Sequence, residues 1–230
     1  MQIKNRQRLK LPKIRLIKRQ QMWTLTVQGW MIAIASVVAV IIFAITHIHP
    51  FLAVNSPIKS AEVLVVEGWL PDDALQEALA EFKSGNYRQI VTTGGTLEQG
   101  SYLIEYNSFA EVSAATLKKL GLAPDKVIAV PAPFVIKDRS YASAAEFGRW
   151  LSNSNLKLEA INLLSWDAHT RRSWLLFKRV LAPHHIKVGA IAAKSQYYNS
   201  SQWWRYSQGV RTVIDEAIAY IYAQFINWKA

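Results

Sequence analysis

The sequence predicts a doubly wound α/β domain, with a mainly parallel five-stranded sheet, preceded by a single transmembrane helix. Three features carry that expectation: one uncharged apolar run near the start, short Val/Ile/Leu-rich runs through the remainder, and amphipathic segments alternating with them.

The apolar run LTVQGWMIAIASVVAVIIFAI, Leu25 to Ile45, has no charged side chain across the ~20 residues that a helix needs to cross a bilayer. A cleaved signal peptide has an apolar core of only ~7–15 residues followed by a small-x-small site. This run is longer and lacks such a site, so a retained anchor is expected. Lys4, Arg6, Arg8, Lys10, Lys13, Arg15, Lys18 and Arg19 all precede it. The positive-inside rule then keeps the N-terminus in the cytoplasm and puts the rest beyond the membrane. The expected organisation is a basic cytoplasmic tail (1–21), a transmembrane helix (22–46), a linker (47–60) and an α/β domain (61–230).

Charge distribution removes one function class. The net charge of +11 is concentrated before residue 60, where there are nine Lys/Arg and no acid; residues 60–230 carry eighteen against sixteen. With no nucleic-acid motif beside it, the basic tail suits a membrane surface and not DNA or RNA. The chain has no cysteine, which excludes disulfides and thiolate chemistry and fits a compartment outside the cytoplasm.

Strands are expected at 62–67, 89–93, 126–130, 160–165 and 186–192, where continuous apolar runs suit a sheet buried on both faces. Helices are expected at 72–84, 104–120, 141–152 and 168–181. A last amphipathic helix is expected at 203–228, with Val210, Ile214, Ala217, Ile221 and Phe225 on one face. Ligands of such folds sit beyond the carboxyl ends of the strands, where the winding reverses.

The strand ends therefore hold the candidates. Glu67 and Gly68 end the first strand, and a carboxylate there needs a partner, whether ligand or protein. Asp72 and Asp73 read as ordinary helix-start acids after Pro71. The second strand ends in Thr93, Gly94 and Gly95, where the backbone could approach a ligand or simply turn. Gly95 to Ser101 has the spacing of a phosphate loop without its lysine, and no dinucleotide fingerprint follows any strand. After the third strand come Arg139, which could pair on the surface with Asp138 or Asp167, and Ser143, which with Glu146 has capping-box spacing. After the fourth comes LLSWDAHTRRSWLLF, residues 163–177, with Asp167 or Ser165 placed to cap the helix.

That stretch breaks a local rule. Arg171 and Arg172 stand in a helix's first turn, where the macrodipole is already positive, and each costs roughly 0.3–1 kcal/mol unless an anion is near. With His169 beside them they suggest an anion site. Other readings are weaker: His47, His49, His184 and His185 lack a third metal ligand at recognisable spacing, and no G-x-S-x-G elbow is present. Trp203 and Trp204 suit core packing, a ligand wall or a membrane interface alike.

The ordered set VEGWLPD, a strand ending in T-G-G, KDRSYASA, HTRRSWLLF and WWRYSQGVRTVIDEAIAYIYAQF resembles the YdcF/SanA/ElyC family of bacterial envelope proteins, in its membrane-anchored branch. The resemblance covers residues 60–228 and implies a Rossmann-like fold. It also implies a place in the bacterial inner membrane with the domain on the periplasmic side, and a role in envelope integrity, peptidoglycan assembly or lipid-carrier metabolism. Carried over, the family's positions fall on Gly68, Thr93, Gly94, Gly95, Arg139, Ser143, His169, Arg171 and Arg172. Glu67 departs from the aliphatic residue usual before the glycine, and SYASAAEF lacks the T-x-E-N ending of many relatives.

The expected function is binding of a phosphorylated ligand, such as a polyprenyl phosphate. Arg139, Arg171 and Arg172 would hold the anion, Gly94 and Gly95 would admit it, and His169 or Glu67 would serve as acid or base. Two alternatives stand beside it. One is a module binding S-adenosylmethionine or a nucleotide without turnover, S-adenosylmethionine being a cofactor that the resemblance suggests and Glu67 the available partner for ribose hydroxyls. The other is a non-enzymatic envelope scaffold.

Overall fold

The computed structural model describes residues 22–98, 105–154 and 156–225. The basic tail (1–21), the end of the phosphate-loop-like stretch (99–101), the start of the helix expected at 104 and the end of the one expected to reach 228 lie outside the described residues. The chain divides into two units, Met1–Ile41 and Ile42–Ala230. In the first, the described structure is the opening of helix α1 (Val27–Leu52), whose side chains there are mostly exposed. At 26 residues, α1 is long and apolar enough to cross a bilayer.

The second unit is an α/β domain. Its elements are β1 (Val63–Glu67), α2 (Asp72–Ser84), β2 (Gln89–Gly94), α3 (Phe109–Lys119), β3 (Val127–Pro131), α4 (Arg139–Asn153), β4 (Ala160–Trp166), α5 (Thr170–Leu181), β5 (Lys187–Ala193) and α6 (Ser207–Phe225). The strands form one parallel sheet in the order β3-β2-β1-β4-β5. Because side chains alternate across a strand, β1 supplies both cores. Leu64 and Val66 pack with Leu75 of α2 and Leu117 of α3, while Val63 and Val65 pack with Phe147 of α4 and Phe177 of α5. Helices on both faces make the domain doubly wound, and the order reverses between β1 and β4.

Three local expectations are corrected. The stretch 47–60 is not all linker, since α1 continues to Leu52 in spite of Pro50. Its last turns are held by tertiary burial: Leu52 is 1% exposed in a cluster with Ala168, Tyr198, Trp203 and Val213. The capping box is not at Ser143–Glu146, because α4 starts a turn earlier at Arg139, behind Asp138 in the left-handed region at φ 62°. Glu146 pairs instead with Arg149, and a capping box forms at Ser108–Glu111 on α3. The helix expected from 203 is two elements, a 3-10 helix (Ser200–Arg205) and then α6. The face of α6 that packs inward carries Val210, Val213, Ala217 and Tyr220, whereas Ile214, Ile221 and Phe225 are exposed.

Candidate functional site

Where the winding reverses, a cleft of about 870 Å³ opens at the carboxyl ends of the strands. Its wall includes Glu67 from β1, Gly94 and Gly95 from β2, the first turn of α4, Trp166 and His169 after β4, Arg172 from α5 and Glu216 from α6. Four ionisable groups from four places in the chain meet in its floor.

Glu67 is 1% exposed, and its carboxylate accepts hydrogen bonds from the hydroxyls of Ser165 and Ser173, the latter at 2.9 Å. His169 Nδ1 lies 2.8 Å from Glu216 Oε1. Arg172 grips the same carboxylate with two nitrogens, Nε at 2.9 Å from Oε2 and Nη2 at 3.1 Å from Oε1. This is the fork geometry that makes arginine–carboxylate pairs strong. Arg172 Nη2 also stands 3.0 Å from His169 Nδ1; with a charged imidazole both are donors, and they share Glu216 Oε1.

The other ring nitrogen is different. Among the described residues, the polar contacts of His169 Nε2 are long, 3.5 Å to Ser140 Oγ and 3.7 Å to Glu67 Oε2. These lie at or beyond the limit of an effective hydrogen bond.

Burial by itself would lower the pKa of His169, but the charges of Glu67 and Glu216 and the hydrogen bond to Glu216 outweigh it and raise the pKa to about 9. Burial likewise acts to raise Glu216, yet His169 and Arg172 bring it down to about 2. For Glu67 the same opposition holds: burial pushes up, while His169 and the two serines leave it below the usual carboxylate range. Desolvation acts to lower Arg172, and Glu216 and Glu67 hold it above its ordinary value. At neutral pH the floor therefore carries two cations and two anions. The upward shift favours the protonated imidazole there. Glu67 serves as its counter-charge.

The rule-breaking arginines are explained within the chain. Arg172 meets Glu216, 44 residues further on. Arg171 does not enter the cleft. Its Nε donates to the Phe51 carbonyl at the end of α1, and its guanidinium lies 3.9 Å from the centroid of the Phe51 ring. A cation at a helix's C-terminal carbonyls is favoured by the dipole. Both charges have partners within the chain, so the dipole conflict by itself does not call for an external anion.

Of the other sequence candidates, Gly94, Gly95, Arg139 and Ser143 line the cleft and Gly68 and Thr93 do not. A Cβ on Gly68 would lie 2.5 Å from the Phe109 carbonyl oxygen, so this glycine serves the close approach of β1 to α3. Thr93 is fully buried, and its hydroxyl has no hydrogen-bond partner among the described residues. Gly95 borders open space. Arg139 is exposed and paired with Glu98. Glu67 is 1% exposed and already accepts from Ser165 and Ser173.

Asp167 caps nothing. At φ 45° it turns the chain from β4 towards His169, and its buried carboxylate lies 2.8 Å from His49 Nε2 of α1 and accepts the Tyr198 hydroxyl. Glu216, Ser140 and Ser173 were missed in the sequence. Among the described residues no group of three or more His, Cys, Asp and Glu stands ready for a metal. Compared with known proteins, the chain matches no family model and no curated protein.

Proposed function

We propose that this chain is a membrane-anchored envelope protein whose cleft binds a phosphorylated ligand, such as a polyprenyl phosphate, with His169 donating the proton or hydrogen bond that the ligand's oxygen receives. The observation that carries the reading is His169 Nε2, which lines the cleft with no acceptor nearer than 3.5 Å among the described residues. A phosphate oxygen would supply that acceptor, and a charge-assisted bond of this kind is among the stronger ones.

The anion's other contacts differ from those first expected. The first turn of α4 lines the cleft with Asp138, Arg139, Ser140 and Tyr141, and the side chain of its N-cap residue Asp138 makes no capping hydrogen bond. Such a helix start favours an anion. Arg139 flanks it, and Gly95 borders open space in the cleft wall. Arg172 orients His169 through Glu216 and does not grip the ligand. The envelope role, the inner-membrane location and the extracytoplasmic side rest on the resemblance to YdcF-like proteins and on the basic residues before α1.

Calorimetric titration of the detergent-solubilised chain with inorganic phosphate, a short-chain polyprenyl phosphate and S-adenosylmethionine tests this. Phosphate-bearing ligands are expected to bind, and His169→Gln is expected to weaken them by about 1.5–3 kcal/mol, the range for hydrogen bonds to charged groups. Failure of every phosphate ligand to bind the folded chain would overturn the proposal.

A further inference from the structure

The end of α1 and the 3-10 helix Ser200–Arg205 are far apart in the sequence and joined in space. Trp203 Nε1 donates to the Ile45 carbonyl at 3.0 Å. Ile45, Thr46, His49 and Pro50 on one side, with Ser200, Ser201, Trp203 and Trp204 on the other, line an open groove of about 320 Å³. Trp203 is buried and meets Trp204 edge to face at 6.1 Å, while Trp204 remains 40% exposed and Tyr206 41%.

The membrane-anchor reading fixes what this groove faces. A helix rises 1.5 Å per residue, so the ~20 residues that cover ~30 Å of hydrocarbon run from Val27 to about Thr46. The apolar run itself ends at Ile45. The layer beyond is the headgroup region, and Trp203 is bonded to the residue that marks its inner boundary. The side chains brought there have the chemistry of that layer. Tryptophan and tyrosine present an apolar ring with a polar tip. Ser200 and Ser201 offer hydroxyls, and the exposed Arg205, whose guanidinium reaches Gln202, offers a cation for a phosphodiester.

We propose that this groove is a seat for a bilayer phospholipid headgroup, with Trp204 at the interface and Arg205 on the phosphate, fixing the domain against the membrane surface. The inference rests on the membrane-anchor part of the proposed function and is independent of the ligand in the cleft. The seat shares one packed cluster with Ala168, the neighbour of His169.

The chain has no cysteine, so single cysteines report single positions. The full-length Ser201→Cys, Val38→Cys and Asp125→Cys variants would each carry an environment-sensitive fluorophore in vesicles of phosphatidylethanolamine and phosphatidylglycerol. Quenchers would be lipids with a nitroxide near the headgroup, lipids with a nitroxide deep in the chain, and aqueous iodide. The Ser201 label is expected to be quenched by the shallow lipid several-fold more than the Asp125 label and to be shielded from iodide. Adding Trp204→Ser and Arg205→Ser is expected to remove that difference. Iodide quenching of the Ser201 label equal to that at Asp125 would overturn the seat, as would shielding from both lipid and iodide, the result if a second copy covered the groove. Either result with Val38 still quenched by the deep lipid leaves the anchor standing; loss of the Val38 signal overturns the anchor and the seat together.

Discussion

Replacing Glu216 with glutamine removes the anion shared by His169 and Arg172 while keeping the side chain's size. A rise in the imidazole pKa from 6.5 to about 9 corresponds to on the order of 3 kcal/mol of preference for the charged form in the folded state. Glu216 and Glu67 divide that preference, and breaking one partner out of a buried pair costs about 3–5 kcal/mol. Glu216 keeps 15% side-chain exposure, which favours the lower end, about 3 kcal/mol. The sign of the pH dependence follows from the two shifts. His169, raised on folding, stabilises fully below pH 6.5 and loses its contribution as pH rises through about 9. Glu216, depressed to about 2, contributes above pH 4.5 and loses its contribution as pH falls towards 2. The gap between the parent and Glu216→Gln should therefore be widest between pH 4.5 and 6.5 and narrow above pH 9, where the Arg172 pairing alone distinguishes them. Chemical unfolding of the detergent-solubilised chains at pH 5.5, 7.5 and 9.5 measures the gap, and imidazole proton resonances, with His169→Gln for assignment, follow the pKa. A gap that does not change with pH, or an unshifted His169 resonance, would refute the electrostatic account of this cluster.

Two further outcomes are expected. A chain beginning at Ile42 should unfold cooperatively, whereas one beginning at Ser56 loses buried Leu52 and the His49–Asp167 hydrogen bond, on the order of 4 kcal/mol together and a large part of a domain's ~5–15 kcal/mol; equal unfolding midpoints by circular dichroism would contradict this. Alkaline phosphatase fused after Ala230 should be active and a cytoplasmic fluorescent reporter there dark, with the reverse pattern overturning the extracytoplasmic placement of the domain.

Periodicity made the sheet legible. Runs such as EVLVVE and AINLLS are apolar on both faces because helices cover both, and that pattern survives without knowledge of any partner. The position of the cleft followed from the same pattern, since alternating strands and helices put functional residues at strand ends, and Glu67, Gly94, Gly95, His169 and Arg172 were found there. Charge pairing was not legible. Arg171 and Arg172 announced a need for negative partners, but whether a ligand or the protein met it depended on α6 and α1 folding back onto α5. Glu216 lies 44 residues from Arg172 and Phe51 lies 120 from Arg171. Local propensity carries no information about contacts at that separation. The helix ends failed for the same reason: the last turns of α1 persist past Pro50 because Leu52 and His49 are buried against residues beyond 160. Sequence alone determined that there are a membrane-length helix, five strands and charged strand ends; packing decided which charges neutralise one another, and hence that His169 and Arg172 share Glu216.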